Sequence, residues 1–136
     1  MIALDTNVLV RYLAQDDPAQ ARTATRFIEE RLTADDPGFI STIVLCEIVW
    51  VLETCYHVAR ANLVSIVKAL LDTRQIVVDE ANAVRAALNH SNVDLVDAII
   101  HEAGRSHQCR ATVTFDRKFA RLDRVELLGG RTAKRS

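Results

Sequence analysis

The sequence predicts an α/β domain: a parallel sheet of about five short strands flanked by helices on both faces. Three observations predict it. Short β-branched segments, such as Gln75-Ile76-Val77-Val78 and Ala111-Thr112-Val113-Thr114, alternate with longer stretches whose apolar residues recur every three or four positions. Only four Gly and two Pro occur, too few for a loop-rich all-β fold. No repeat, linker or low-complexity stretch divides the 136 residues, a length that suits one domain with its own core.

The elements follow in order. Ile2 to Leu4 reads as a buried strand, and Asp5-Thr6-Asn7 supplies capping residues for a helix over Val8 to Leu13. Asp16-Asp17-Pro18 opens a second helix, since acids before a proline suit a helix N-terminus; its apolar face is Ala21, Ala24, Phe27, Ile28 and Leu32. Pro37-Gly38 marks a turn into strand Phe39-Ile40, after which Ser41 or Thr42 caps a helix running to about Tyr56. A helix over Ala59 to Asp72 leads to the third strand at 75–78. Helices over Glu80 to His90 and Leu95 to Arg105 precede a fourth strand at 111–114. A brief helix near Arg117 to Arg121 and a fifth strand over Val125 to Leu128 complete a domain of residues 1–128, followed by a short basic tail at 129–136.

Composition narrows the function classes. With 49% hydrophobic and 26% charged residues the chain is globular rather than disordered. Its longest apolar run, Ile43 to Leu52, is interrupted by Glu47 and too short for a membrane span, and Met1 leads straight into the first strand without a signal-peptide pattern. Cys46, Cys55 and Cys109 are an odd number at spacings that match no zinc motif. They read as reduced thiols in a cytoplasmic protein, with Cys46 and Cys55 as small apolar fillers of one helix. The net charge of −1 hides an asymmetry: Arg117 to Ser136 holds seven basic and two acidic residues. Such an end can touch nucleic-acid phosphates or simply be solvated.

The acids carry the chemistry. In open parallel sheets ligands bind beyond the carboxyl ends of the strands. Asp5 follows the first strand and Asp116 the fourth. Glu47 stands in a helix apolar on nearly every side, which predicts burial and a partner. Asp94 and Asp97 are three apart at a helix start, on one face and near the positive end of its dipole. Each also has a purely structural reading: Asp5, Asp94 and Asp116 as helix caps, Glu47 as partner of a buried Arg. Together they point elsewhere. Carboxylates about 5 Å apart repel by roughly 3 kcal/mol at an effective dielectric of 20. A converging set therefore needs a cation or raised pKa values. Carboxylate oxygens with open water positions suit Mg²⁺ or Mn²⁺, and the four His show no ligand pair near these acids. Thr6, Asn7, Ser41 and Thr114 flank the acids as short polar supports, with capping an equal reading for Ser41. His101, four after Asp97, reads either as its hydrogen-bond partner or as a core-edge histidine. Trp50 reads as core or dimer interface.

The segments "IALDTNVLV", "ISTIVLCEIVWVLE", "VDLVDAIIHEA" and "VTFDRKFARL" resemble, in order and spacing, the four acidic motifs of PIN-domain ribonucleases, and in particular the VapC toxins of toxin–antitoxin pairs. The resemblance runs from Ile2 to about Leu128. It implies that Asp5, Glu47, Asp97 and the more peripheral Asp116 hold Mg²⁺ or Mn²⁺, with Asn7 and Thr114 arranging the site. It implies RNA cleavage by a metal-activated water. Because such a site is acidic, the basic end with Arg117, Lys118 and Arg121 reads as a phosphate-contacting rim. The implied partners are RNA, a second copy of the chain in a homodimer, and a cognate VapB-like antitoxin; no membrane is implied. Two departures stand out: Gln108-Cys109 where the family often has glycine, and Asp94 as an additional carboxylate.

Other classes remain open. A PIN-like protein that binds or processes RNA without a toxin role would keep the same fold. A Mg²⁺-dependent phosphatase using Asp5 as nucleophile would want an Asp at position 7, where Asn stands. A receiver-type signalling domain would want an acid pair near the first strand and a strand-end Lys, and neither is apparent.

Overall fold

A computed structural model describes residues 1–129, so the expected basic tail lies outside the described residues from Gly130 onward. Two compact units are distinguished along the chain, Met1–Ala81 and a second beginning at Asn82.

The first unit runs β1 (Ile2–Ala3), α1 (Thr6–Ala14), α2 (Pro18–Arg26), a π-helical turn (Phe27–Arg31), β2 (Gly38–Ile40), α3 (Thr42–Thr54), α4 (Arg60–Asp72) and β3 (Ile76–Val78). Its sheet is parallel with β2 in the centre: Ile2 pairs with Gly38, and Gly38 with Ile76. Parallel neighbours cannot be joined by tight turns, which is why helices fill both connections. The caps are those the sequence suggests. Asp17 accepts from the Gln20 N–H at 3.1 Å with Pro18 at the first helical position, and Ser41 Oγ accepts from the Val44 N–H at 3.2 Å. Leu9, Ile28, Ile40, Leu45, Ile48, Leu63 and Val67 are buried. Gly38 is required by close packing: a Cβ there would stand 2.8 Å from side-chain carbons of both Leu4 and Leu32, themselves buried.

In the second unit, α5 (Ala81–Ala87) starts at the boundary, followed by α6 (Leu95–Ser106), β4 (Thr112–Thr114), a 3₁₀ turn (Phe119–Arg121) and β5 (Val125–Leu127). β4 and β5 pair in parallel, Thr112 with Val125. Val84, Leu95, Ala98 and Ile99 are fully buried, while β4 leaves Val113 exposed and Phe115 follows it, also exposed. The chain leaves α6 through Gln108 at φ 59°, a left-handed conformation that costs a side-chain-bearing residue about 1–2 kcal/mol. This is the stretch where glycine was noted as missing.

Among the described residues the expected single sheet of about five strands is corrected to two sheets, one of three strands and one of two. All five strands occur within a residue or two of their expected positions. Each is only two or three residues long, however, and ladder pairing depends on where a few N–H and C=O groups point. In β1 the Ile2 and Leu4 N–H groups are given to Pro37 and Phe39, on the β2 side.

Candidate functional site

The parallel strands of the first unit bring their carboxyl ends to one edge of its sheet. Asp5 lies just beyond β1, Ser41 beyond β2 and Asp79 beyond β3. Asp5 is the N-cap of α1: its Oδ1 accepts from the Thr6 N–H at 2.8 Å, which leaves Oδ2 outside the capping bond. Thr6 then turns its hydroxyl to the middle of α3, donating to Glu47 Oε1 at 2.5 Å. One short side chain thus ties the first acid's helix to the second acid.

Glu47 is exposed, not buried as the apolar run suggested. α3 buries Leu45, Ile48, Val49 and Leu52, whereas Ile43, Glu47 and Trp50, four and three residues apart, share a face that stays exposed. Trp50 is therefore not a core residue, being 59% exposed. Nor are the thiols simple fillers: Cys46 is half-buried, with its pKa pushed up by burial, and Cys55 is exposed at the helix end. Ser41 serves as a cap, and Asn7 lies on an exposed turn of α1. Asp5 and Asn7 also line a cleft of about 810 Å³ between β1, α1 and α2, with Arg11, Gln20 and Thr23 as its other polar residues.

The second unit holds the remaining acids. Asp94 occupies the N-cap position of α6, where its carbonyl accepts from the Ala98 N–H at 2.9 Å. Its side chain makes no capping bond, so the carboxylate does not serve as the expected cap. Asp97 follows one turn on and is half-buried. Its pKa is raised from the usual carboxylate value, first by burial, then by the negative charges of Asp94 and Asp116. Every one of these influences opposes its charged form. Asp116 sits past β4 with its N–H given to Thr114 Oγ1 at 3.0 Å, and its Oδ1 accepts from the backbone of Lys118 at 2.8 Å and Phe119 at 3.3 Å. It caps the following turn while remaining exposed. Arg117, Lys118 and Arg121 are exposed around that turn.

His101 is not the partner of Asp97. It is buried, 3% exposed, and its Nδ1 lies 2.8 Å from Thr112 Oγ1. Burial comes first among the causes that lower its pKa. Two polar residues escaped the sequence reading. Thr112 gave no signal, because a threonine inside a strand is ordinary. Asp79 did give one: "IVVD" ends a strand with an acid just as "IALD" does, and Asp79 Oδ2 accepts from the Thr42 hydroxyl at 3.3 Å.

A model of the PIN domain matches residues 2–125, most of the chain. The chain belongs to the PIN-domain family. Among curated proteins no sequence matches it. PIN domains are generally nucleases and usually employ divalent metal ions. In this PIN domain no three His, Cys, Asp or Glu among the described residues form a ready-made metal cage. The donor chemistry nonetheless fits a hard cation. Asp94, Asp97 and Asp116 offer only carboxylate oxygens, the ligands such a cation takes. No helix among the described residues is long and apolar enough to cross a membrane.

Proposed function

We propose that the chain is a Mg²⁺- or Mn²⁺-dependent endoribonuclease that hydrolyses RNA phosphodiesters and acts as the VapC-type toxin of a toxin–antitoxin pair. The observation that carries the reading is Asp97, a half-buried carboxylate whose charge is opposed by burial and by two further acids. An enzyme that only needed to fold would gain from a neutral residue there; a nuclease of this family needs the charge. Asp5, Glu47, Asp97 and Asp116 are the proposed metal-holding acids, with Asp94 as an additional candidate. A bound Mg²⁺ or Mn²⁺ would supply Lewis acidity, favouring a nucleophilic water and offsetting charge on the phosphate.

The chain's own residues do the rest. Thr6 holds Glu47 through its hydroxyl, and Thr114 fixes the backbone of Asp116. The capping bonds of Asp5 and Asp116 each engage one carboxylate oxygen, Oδ1, and hold the side chain in one orientation while Oδ2 stays available. Asn7 and Ser41 stand beside these acids as supporting polar groups. Because the acids repel a polyanion, the RNA backbone is held by the exposed Arg117, Lys118 and Arg121. A second copy of the chain and a VapB-like antitoxin are the proposed protein partners, in the cytoplasm.

Purified protein incubated with RNA in Mg²⁺, Mn²⁺ or EDTA tests the activity. Cleavage should require the metal and disappear in Asp5→Ala and Asp97→Ala proteins that keep their circular dichroism. Full activity in either variant would sink the metal-site reading, and metal-independent RNA binding without cleavage would favour the PIN-like binding protein. The toxin role has its own test: growth arrest on expression, relieved by the product of a neighbouring reading frame.

A further inference from the structure

His101 lies four residues after Asp97 on α6, on the same helical face and about 6 Å further along the axis at 1.5 Å per residue. Its ring is buried and meets three separate places in the second unit. Nδ1 stands 2.8 Å from Oγ1 of Thr112, the first residue of β4. The ring of His90, just after α5, packs edge-on against the His101 ring with centroids 6.4 Å apart at 61°. The ring of Phe119, which opens the 3₁₀ turn, packs edge-on against it with centroids 6.4 Å apart at 88°.

These anchors bracket one residue. Asp116 comes four residues after Thr112 and three before Phe119, and the loop between them is already stiffened by the Thr114 and Asp116 hydrogen bonds. We propose that His101 is a positioning residue: it clamps both ends of the Asp116 loop to the helix that carries Asp97 and so fixes the separation of these two acids. The inference rests on the nuclease reading above, because that separation matters only if the acids share a task.

Nδ1 and the Thr112 hydroxyl share one hydrogen bond, in which a neutral imidazole can serve as either donor or acceptor. A leucine or phenylalanine at 101 would fill the same space but would not choose a register between α6 and β4. Glu102, the next residue of α6, is bound by His90 at 2.6 Å and Arg105 at 3.5 Å.

Two experiments test the clamp on the full chain. Nitrogen-15 NMR of the histidine rings at neutral pH should show the His101 Nδ1 resonance shift between wild type and Thr112→Val; an unchanged resonance overturns the proposal. Thr112→Val removes the hydroxyl at nearly constant volume, and Thr112→Ser keeps it. Thr112→Val should weaken Mn²⁺ binding in titration calorimetry and lower kcat on RNA by about tenfold each, the scale of losses behind metal ligands, with KM little changed. Thr112→Ser should restore both. Mn²⁺ affinity and kcat within about twofold of wild type in Thr112→Val, or no rescue by Ser, overturn the clamp while leaving the nuclease reading intact. Wild-type protein that takes up no Mn²⁺ and cleaves no RNA overturns the nuclease reading, and the clamp's purpose with it.

Discussion

Replacing Asp97 by Asn keeps the outline of the side chain and removes its charge, and the consequence should reverse sign with the metal. In metal-free protein Asp97 faces Asp94 at the i, i+3 spacing, a like-charge pair that costs about 0.2–0.5 kcal/mol, and Asp116 and burial add to it. Asp97→Asn is therefore expected to stabilise the metal-free chain by about 0.5–1 kcal/mol, discounted because the site is only half-buried. For a chain of this size that is a rise of about 2–5 °C in Tm. The pH dependence follows from the direction of the shift. The folded carboxyl titrates above its unfolded value of 3.8, so the native state holds more protons in that window and loses stability as pH rises through it. The variant's advantage should be absent below that window and complete above it. With Mg²⁺ or Mn²⁺ at a hundredfold excess over Kd, wild type should gain about 2.7 kcal/mol, or roughly 10 °C, and the variant little of it. Thermal melts by circular dichroism in EDTA and in metal, at two pH values, decide the matter. If Asp97→Asn melts below wild type in EDTA, the carboxylate is held rather than opposed; if both proteins rise equally with metal, Asp97 is no ligand.

Other expectations concern single contacts. Thr6→Val removes the hydroxyl that binds Glu47 and should lower stability by about 1 kcal/mol in urea titration, with Thr6→Ser recovering most of it; an unchanged midpoint for Val would show that the bond contributes nothing. Gln108→Gly relieves a left-handed backbone and should raise stability by about 0.5–1 kcal/mol net of the extra unfolded-state entropy, whereas a fall would place the value of Gln108 in its side chain. His101 is neutral in its buried setting with its pKa lowered, so the unfolded chain takes up the proton first as pH falls. Stability should drop as pH is lowered from the ordinary histidine value of 6.5, and urea midpoints at pH 7.5 and 5.5 should converge with those of His101→Gln; parallel midpoints would refute it. Glu102, His90 and Arg105, the titratable neighbours of that ring, are unchanged in the comparison.

Much of this molecule is legible along the chain because its signals are local. "DTN", "DDP" and "ST" place helix starts that the structure confirms to within a residue or two, since a cap needs only a side-chain oxygen and an N–H one to three positions on. Short β-branched runs mark β3 and β4, and a single Ile or Val each of the other three. Burial was less legible. The run "TIVLCEIVWVLE" looks buried on every side, yet Ile43, Glu47 and Trp50 are exposed, because composition does not say which face of an apolar helix meets a neighbour. Asp94 carries a capping residue's identity at a capping position and still does not cap with its side chain.

By itself, then, the sequence determined the order and type of the elements, the family and the candidate acids, all of which depend on residue type and spacing. Only tertiary structure decided that five strands divide into sheets of three and two, that Thr6 reaches across forty-one positions to Glu47, and that His101 belongs to Thr112 rather than to Asp97. The reason is common to all three. A hydrogen bond is chosen by the direction of a donor after packing has oriented it, and neither a period of two nor one of 3.6 carries that direction between segments distant in the chain.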